Sequence, residues 1–222
     1  MDKAGTLESR LAALRAASVE RLPKLAALHR HLLAELTEAV VPGARAIGDQ
    51  APEIELPSGA NDRPVRLSWM LDSGPVILSF YRGHWCPYSN VELSALVQAY
   101  RQIHALGGAT LLYVGPETRQ NAAKMRQKWD APFPVLSDFD GRAMEAYGVA
   151  FDLPDSLRED YGQLGFPDLN PGTAWRLPIP ATFLIDQLGV IQARHLDPDF
   201  SRRAEPADIL AALRRIKPSI AA

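Results

Sequence analysis

Pro75-Val-Ile-Leu-Ser-Phe-Tyr-Arg-Gly-His-Trp-Cys-Pro-Tyr-Ser89 runs from an apolar segment through an aromatic and basic turn into Cys86-Pro87. The run Val76–Tyr81 has strand length and little polar alternation, which is the pattern of a strand buried on both faces. Proline suits the first position of a helix, because the N–H it lacks would be unpaired there anyway. Pro87 therefore opens a helix with Cys86 at or beside the N-cap. The sulfur then faces unpaired backbone N–H groups and the positive end of the helix dipole, which favour thiolate over thiol. Arg82 and His84 lie on the turn that leads in and are expected to add positive charge near the sulfur. A lone cysteine is otherwise read as a small buried hydrophobe. Strand, Cys-Pro helix start and flanking cations occur together here, and together they assign Cys86 a reactive role.

Outward from this stretch, strand and helix patterns alternate. Downstream, Pro87–Leu106 reads as a helix closed by Gly107-Gly108, Thr110–Val114 as a buried strand and Glu117–Trp129 as a helix. Phe133-Pro-Val-Leu136 reads as a short strand and Gly141–Tyr147 as a short helix. Thr182–Ile185 and Val190–His195 form a hairpin across Asp186-Gln-Leu-Gly189, and Pro206–Ile216 is a closing helix. Upstream, Ile54–Leu56 and Val65–Leu67 flank a turn-rich segment, Pro57–Asp62, suited to a hairpin. The expected fold class is α/β, with a central mixed sheet and helices on both faces.

Before this domain, Thr6–Val41 carries Leu7, Leu11 and Leu14, then Leu25, Leu28, Leu32 and Leu36, at helical spacing broken by Pro23. Residues 1–44 are thus expected to be a helical extension and 45–222 the main domain. Thr6 is the candidate N-cap, with Ser9 in the reciprocal position. The leucine stripe must be buried on its own domain or on a second subunit, so a homodimer is one expectation. His29 and His31, two apart, cannot share a helix face and read as surface histidines. Phe151–Arg176, with Pro154, Pro167 and Pro171, reads as an insertion or lid.

Bulk composition narrows the function classes. The chain has 222 residues, 47% hydrophobic and 23% charged, with net charge −2. These values argue against disorder and against a broad nucleic-acid surface. One cysteine cannot form an internal disulfide, which suits a reducing compartment. The N-terminal residues lack the apolar core of a signal peptide, and no apolar run has membrane-span length. The expectation is a cytoplasmic protein with neither nucleic-acid nor membrane partner. Asp138, Asp140, Glu145, Asp152 and Asp155 are not at metal-ligand spacing, and Asp197 and Asp199 near His195 lack a further ligand. Gly162, Gly165 and Gly172 form no phosphate loop. No metal or cofactor is expected.

Phe80-Tyr-Arg-Gly-His-Trp-Cys-Pro-Tyr88, Asn90-Val-Glu-Leu93 and Pro178-Ile-Pro-Ala-Thr-Phe-Leu-Ile-Asp186 together resemble the redoxin superfamily. They are most similar to the peroxiredoxin-like members of the alkyl hydroperoxide reductase/thiol-specific antioxidant (AhpC/TSA) family. The resemblance implies a thioredoxin-like fold and a thiol peroxidase. Cys86 would attack the O–O bond of hydrogen peroxide or an organic hydroperoxide and become a sulfenic acid, which an external thiol of thioredoxin or glutathione type re-reduces. Arg82 would hold the thiolate and Ser89 would hydrogen-bond it. Tyr81, His84 and Trp85 would line the substrate site, and Pro180 would face the sulfur through a cis peptide bond.

Several positions depart from the family pattern. Ser79 and Gly83 stand where typical peroxiredoxins have a proline and a threonine or serine. Pro180 stands where they have an arginine, which is a thioredoxin feature. Ser89 replaces the second cysteine of Cys-Pro-Tyr-Cys, and both a natural serine and a cysteine exchanged to trap a mixed disulfide fit that position. Monothiol disulfide exchange and a non-catalytic redoxin-like binding module are the competing functions.

Overall fold

The structure is a computed structural model that describes residues 5–21, 23–59, 63–163 and 166–216. Met1–Ala4, the turn residues 60–62 and Gly165 lie outside the described residues. In chain order the elements are α1 (Leu7–Arg21), α2 (Pro23–Ala39), β1 (Glu55–Pro57), β2 (Pro64–Arg66), α3 (Leu67–Leu71), β3 (Val76–Phe80) and α4 (Pro87–His104). There follow β4 (Thr110–Gly115), α5 (Arg119–Trp129), β5 (Val135–Ser137), α6 (Arg142–Ala146), β6 (Ala150–Asp152), α7 (Asp155–Gln163), α8 (Phe166–Leu169), β7 (Arg176–Pro178), β8 (Ala181–Ile185), β9 (Ile191–Leu196) and α9 (Pro206–Leu213).

Five strands form the central sheet in the order β5-β4-β3-β8-β9. The pairs β3/β4 and β4/β5 are parallel, while β3/β8 and β8/β9 are antiparallel. The sheet is mixed, as the alternation of strands and helices predicts. Every residue of β3, β4 and β8 is buried, which is why these strands read as unbroken apolar runs. Successive side chains still point to opposite faces. Leu78 and Phe80 meet Tyr147, Phe183, α3 and α6 on one face. Ile77 meets Leu93, Met125 and Leu210, from α4, α5 and α9, on the other. Gly107 and Gly108, at φ +65° and +71°, turn the chain from α4 into β4. A Cβ at Gly108 would lie 2.7 Å from the Ser73 carbonyl oxygen, so glycine is required there.

The N-terminal helices dock on this framework. Ser9 N–H donates to Thr6 Oγ1 at 3.2 Å, as the capping pattern predicts. Remote Glu205 adds a second cap, its carboxylate accepting from Leu7 N–H at 3.3 Å and Glu8 N–H at 2.6 Å. Leu7 and Leu11 pack with Tyr88, Val91 and Ala95 of α4. Leu32 and Leu36 pack with Leu157, Leu177 and Ile179. These leucines are covered within the chain, and no second subunit is needed to bury them.

The described residues of Phe151–Arg176 form more regular structure than its prolines suggest. β6 and β7 pair antiparallel, with Phe151 opposite Leu177. Between them α7 buries Leu157 and Tyr161 against α2. The expected cis bond at Pro180 is absent: no cis peptide occurs among the described residues. Ile179 N–H is bonded to the Val149 carbonyl at 2.7 Å, and Ala181 pairs with Phe80 and Leu196. Pro180 thus joins two hydrogen-bonded segments through an ordinary trans peptide bond.

Candidate active site

Cys86 is the N-cap of α4, with extended backbone (φ −75°, ψ 118°) and Pro87 in the first turn. The turn before it is held tightly. Cys86 N–H donates to the Gly83 carbonyl at 3.1 Å, while Asn90 Nδ2 donates to the His84 and Cys86 carbonyls at 2.7 and 2.9 Å. The side chain is 1% exposed. It forms part of the floor of a cavity of about 340 Å³, whose walls include His29, Leu33, Tyr88, Tyr161 and Phe200. Val19 and Arg30, both exposed, mark its mouth. The walls therefore come from α1, α2, α7 and the loop after β9 as much as from the sheet domain.

Arg82 lies beside Cys86 and is equally buried. Its Nη2 donates to Tyr161 Oη at 2.6 Å. The guanidinium lies over the rings of Phe200, at 4.2 Å, and Trp85, at 5.3 Å. Burial works against its charge, but the interactions with Tyr161 and Cys86 more than offset this, and its pKa lies above the ordinary value. A permanent cation thus stands next to the sulfur, where it stabilises negative charge.

Other expected residues are placed differently. Tyr81 points to the opposite face, stacked on Tyr113 at 4.2 Å, and donates its hydroxyl to Glu117. It is not in the cavity, because residues on either side of the strand end alternate in direction. His84 turns from the sulfur to Glu117, its Nδ1 2.6 Å from Oε2 and its backbone N–H 2.9 Å from the same oxygen. Glu117 is fully buried, so it holds the histidine more firmly than the cavity does. Pro180 is buried but does not line the cavity. Ser89 lies fully buried in the first turn of α4; its Oγ has no hydrogen-bond partner, so the expected bond to Cys86 is not made. Trp85 does line the cavity, and its indole N–H donates to Asn170 Oδ1 at 3.3 Å.

The residues missed by sequence reasoning are His29, Tyr161 and Phe200. His29 is not a surface histidine: its Nε2 lies 3.0 Å from Tyr161 Oη, and its ring meets Phe200 edge-on at 4.8 Å. Burial and then the Arg82 charge lower its pKa to about 4, with Asp199 opposing. One signal was available: Leu32 and Leu36 follow His29 at i+3 and i+7, on the buried face of α2. The departures at 79 and 83 also have local causes. Gly83 has φ +144°, and a Cβ there would lie 2.3 Å from Trp85 Nε1, which excludes threonine. Ser79 joins a buried polar network, its Oγ 3.1 Å from Thr182 Oγ1, where proline has no hydroxyl to offer.

A mixed five-stranded sheet with a cysteine capping the helix after its central strand defines a redoxin of the thioredoxin-like superfamily. The profile of the AhpC/TSA family matches residues 47–194. The chain belongs to that family, as a peroxiredoxin-like redoxin. It is similar to the putative peroxiredoxin bcp of Coxiella burnetii, 28% identical over 148 residues, which are 66% of this chain and 85% of the relative. It is also similar to the thiol-disulfide oxidoreductase ResA of Geobacillus thermodenitrificans, 27% identical over 150 residues, 67% and 68% of the two chains. Among solved structures, Mycobacterium tuberculosis peroxidoxin BcpB aligns with a TM-score of 0.60 at 23% identity, covering 77% of this chain and 97% of that one. That likeness supports the fold.

Proposed function

We propose that the chain is a one-cysteine thiol peroxidase acting on hydrogen peroxide or organic hydroperoxides. The observation that carries this reading is the Cys86 sulfur at a helix N-cap beside the buried, charged Arg82, on the floor of a largely apolar cavity. The Cys86 thiolate attacks the terminal peroxide oxygen, the O–O bond breaks, and the departing alkoxide or hydroxide takes up a proton. The products are a Cys86 sulfenic acid and an alcohol or water. An external thiol then condenses with the sulfenic acid, releasing water, and a second thiol reduces the mixed disulfide. The external thiol is required because the sequence holds one cysteine; a thioredoxin- or glutathione-type reductant in the cytoplasm fits this need.

Arg82 supplies the electrostatic stabilisation, with its charge fixed before the reaction begins. Trp85, Tyr88 and Phe200 exclude water around the peroxide. The experiment is to mix reduced protein rapidly with hydrogen peroxide or cumene hydroperoxide and weigh the intact product. Oxidation far faster than that of a free thiolate, adding a single oxygen and lost in Cys86→Ser, is the expected outcome. A rate equal to that of a free thiolate would refute the peroxidase. Disulfide exchange would then be the better reading, consistent with the ResA likeness.

A further inference from the structure

The two most buried arginines are held in opposite ways. Arg203 gives its charge to a carboxylate, Nη1 donating to Glu92 Oε2 at 2.6 Å. Arg82 is as deeply buried, yet among the described residues no carboxylate is within hydrogen-bond or ion-pair distance of it. Its Nε has no partner. Around it stand the rings of Phe200, Trp85 and Tyr161, which attract a cation without directing any one of its N–H groups. Besides Cys86, the one directional contact is the bond from Nη2 to Tyr161 Oη.

That phenol is itself tied down. Because its oxygen accepts from Arg82, its own hydrogen is free to be given, and His29 Nε2 lies 3.0 Å away. Burial beside Arg82 keeps His29 neutral at physiological pH, and with its proton on Nδ1 a neutral imidazole offers a lone pair at Nε2. The bonds then run in one direction, from Arg82 to Tyr161 to His29. Neither Tyr161 nor His29 belongs to the five-stranded sheet or the helices packed on it: His29 is on α2, and Tyr161 is on α7 between β6 and β7.

We propose that Tyr161 and His29 are positioning residues that hold the Arg82 guanidinium against the Cys86 sulfur, so that the N-terminal helix pair and the 151–176 segment complete the active site. The inference rests on Cys86 being the reactive nucleophile. It gives those two segments a chemical task besides covering apolar surface.

The test uses the full chain with Tyr161→Phe, His29→Leu, His29→Gln and the double variant Tyr161→Phe/His29→Leu. Two rates are read: alkylation of Cys86 by iodoacetamide, which involves no peroxide, and oxidation by cumene hydroperoxide. Urea unfolding of each variant separates positioning from folding. Tyr161→Phe keeps every ring contact and loses one hydrogen bond to a charged group, so both rates should fall about tenfold. His29→Leu should match it, and the double variant should be no slower than Tyr161→Phe alone, as for residues acting through one path. His29→Gln restores an acceptor and should return the rates to within about threefold of the unmodified chain.

A Tyr161→Phe protein that reacts at the unmodified rates would overturn the proposal. So would losses that multiply in the double variant, or a glutamine as damaging as leucine. Should His29→Leu fail to fold, Tyr161→Phe alone decides. An unmodified chain that is slow with peroxide but whose alkylation still depends on Tyr161 would sink the peroxidase reading and leave the positioning intact.

Discussion

At the scale of single residues, the site divides into what the local sequence determines and what distant chain brings. Cys86, Pro87 and Arg82 were legible because a strand end, a basic turn and a helix start are consecutive in sequence and the backbone alone brings them together, although distant Tyr161 bonds the Arg82 guanidinium. Tyr81 and His84 were misplaced on the same stretch. Glu117, a fully buried carboxylate more than thirty residues on, draws the phenol, the imidazole and a backbone N–H to itself, and no local pattern announces it. His29 provides a pH test. Its folded pKa, about 4, is depressed below the ordinary value of 6.5 by burial and by Arg82, against Asp199. Between these values the unfolded chain binds the proton that the folded chain refuses, so stability is full near neutral pH and falls as pH drops through this window. The loss should approach on the order of 3 kcal/mol near pH 4. Urea unfolding at several pH values should show this slope, and His29→Gln should flatten it; an equal slope in both proteins would remove His29 as the cause.

At the scale of elements, the hairpin of β8 and β9 and the helices α4, α5 and α9 fell where periodicity and turn residues put them. Their ends moved by a few residues, for instance α4 stopping at His104 rather than Leu106. The 151–176 segment was less legible because its helices are short, and their burial depends on α2, more than a hundred residues earlier. The same dependence operates between α1 and α4. Leu11 is fully buried in a cluster with Cys86, Tyr88 and Val91. Leu11→Ala should therefore cost about 2–5 kcal/mol by removing buried methyl groups and leaving a void. It should also speed alkylation of Cys86, since α1 is one wall of its surroundings. Unchanged stability together with unchanged alkylation would show that α1 is not docked there in solution.

At the scale of the whole molecule, the proposed division at residue 44 marks a change of sequence pattern more than a physical boundary. Leu196 packs against one face of the sheet and against the α2–α7 cluster, while Trp85 joins that cluster to the one around Cys86. Packing that shares residues in this way couples the parts into one cooperative unit. Urea unfolding followed by far- and near-ultraviolet circular dichroism should give coincident transitions. An early step confined to the N-terminal helices would instead show that they melt on their own.

Trp85 has one more consequence through its position between these clusters. Its indole lies edge-on to Phe166 at 5.5 Å and beneath the Arg82 guanidinium, and it lines the same cavity as the Cys86 sulfur. The emission of an indole responds to the electric field across its ring. Oxidation of Cys86 should therefore change the colour or brightness of the intrinsic emission, and Trp85→Phe should abolish that change while Trp69, Trp129 and Trp175 still emit.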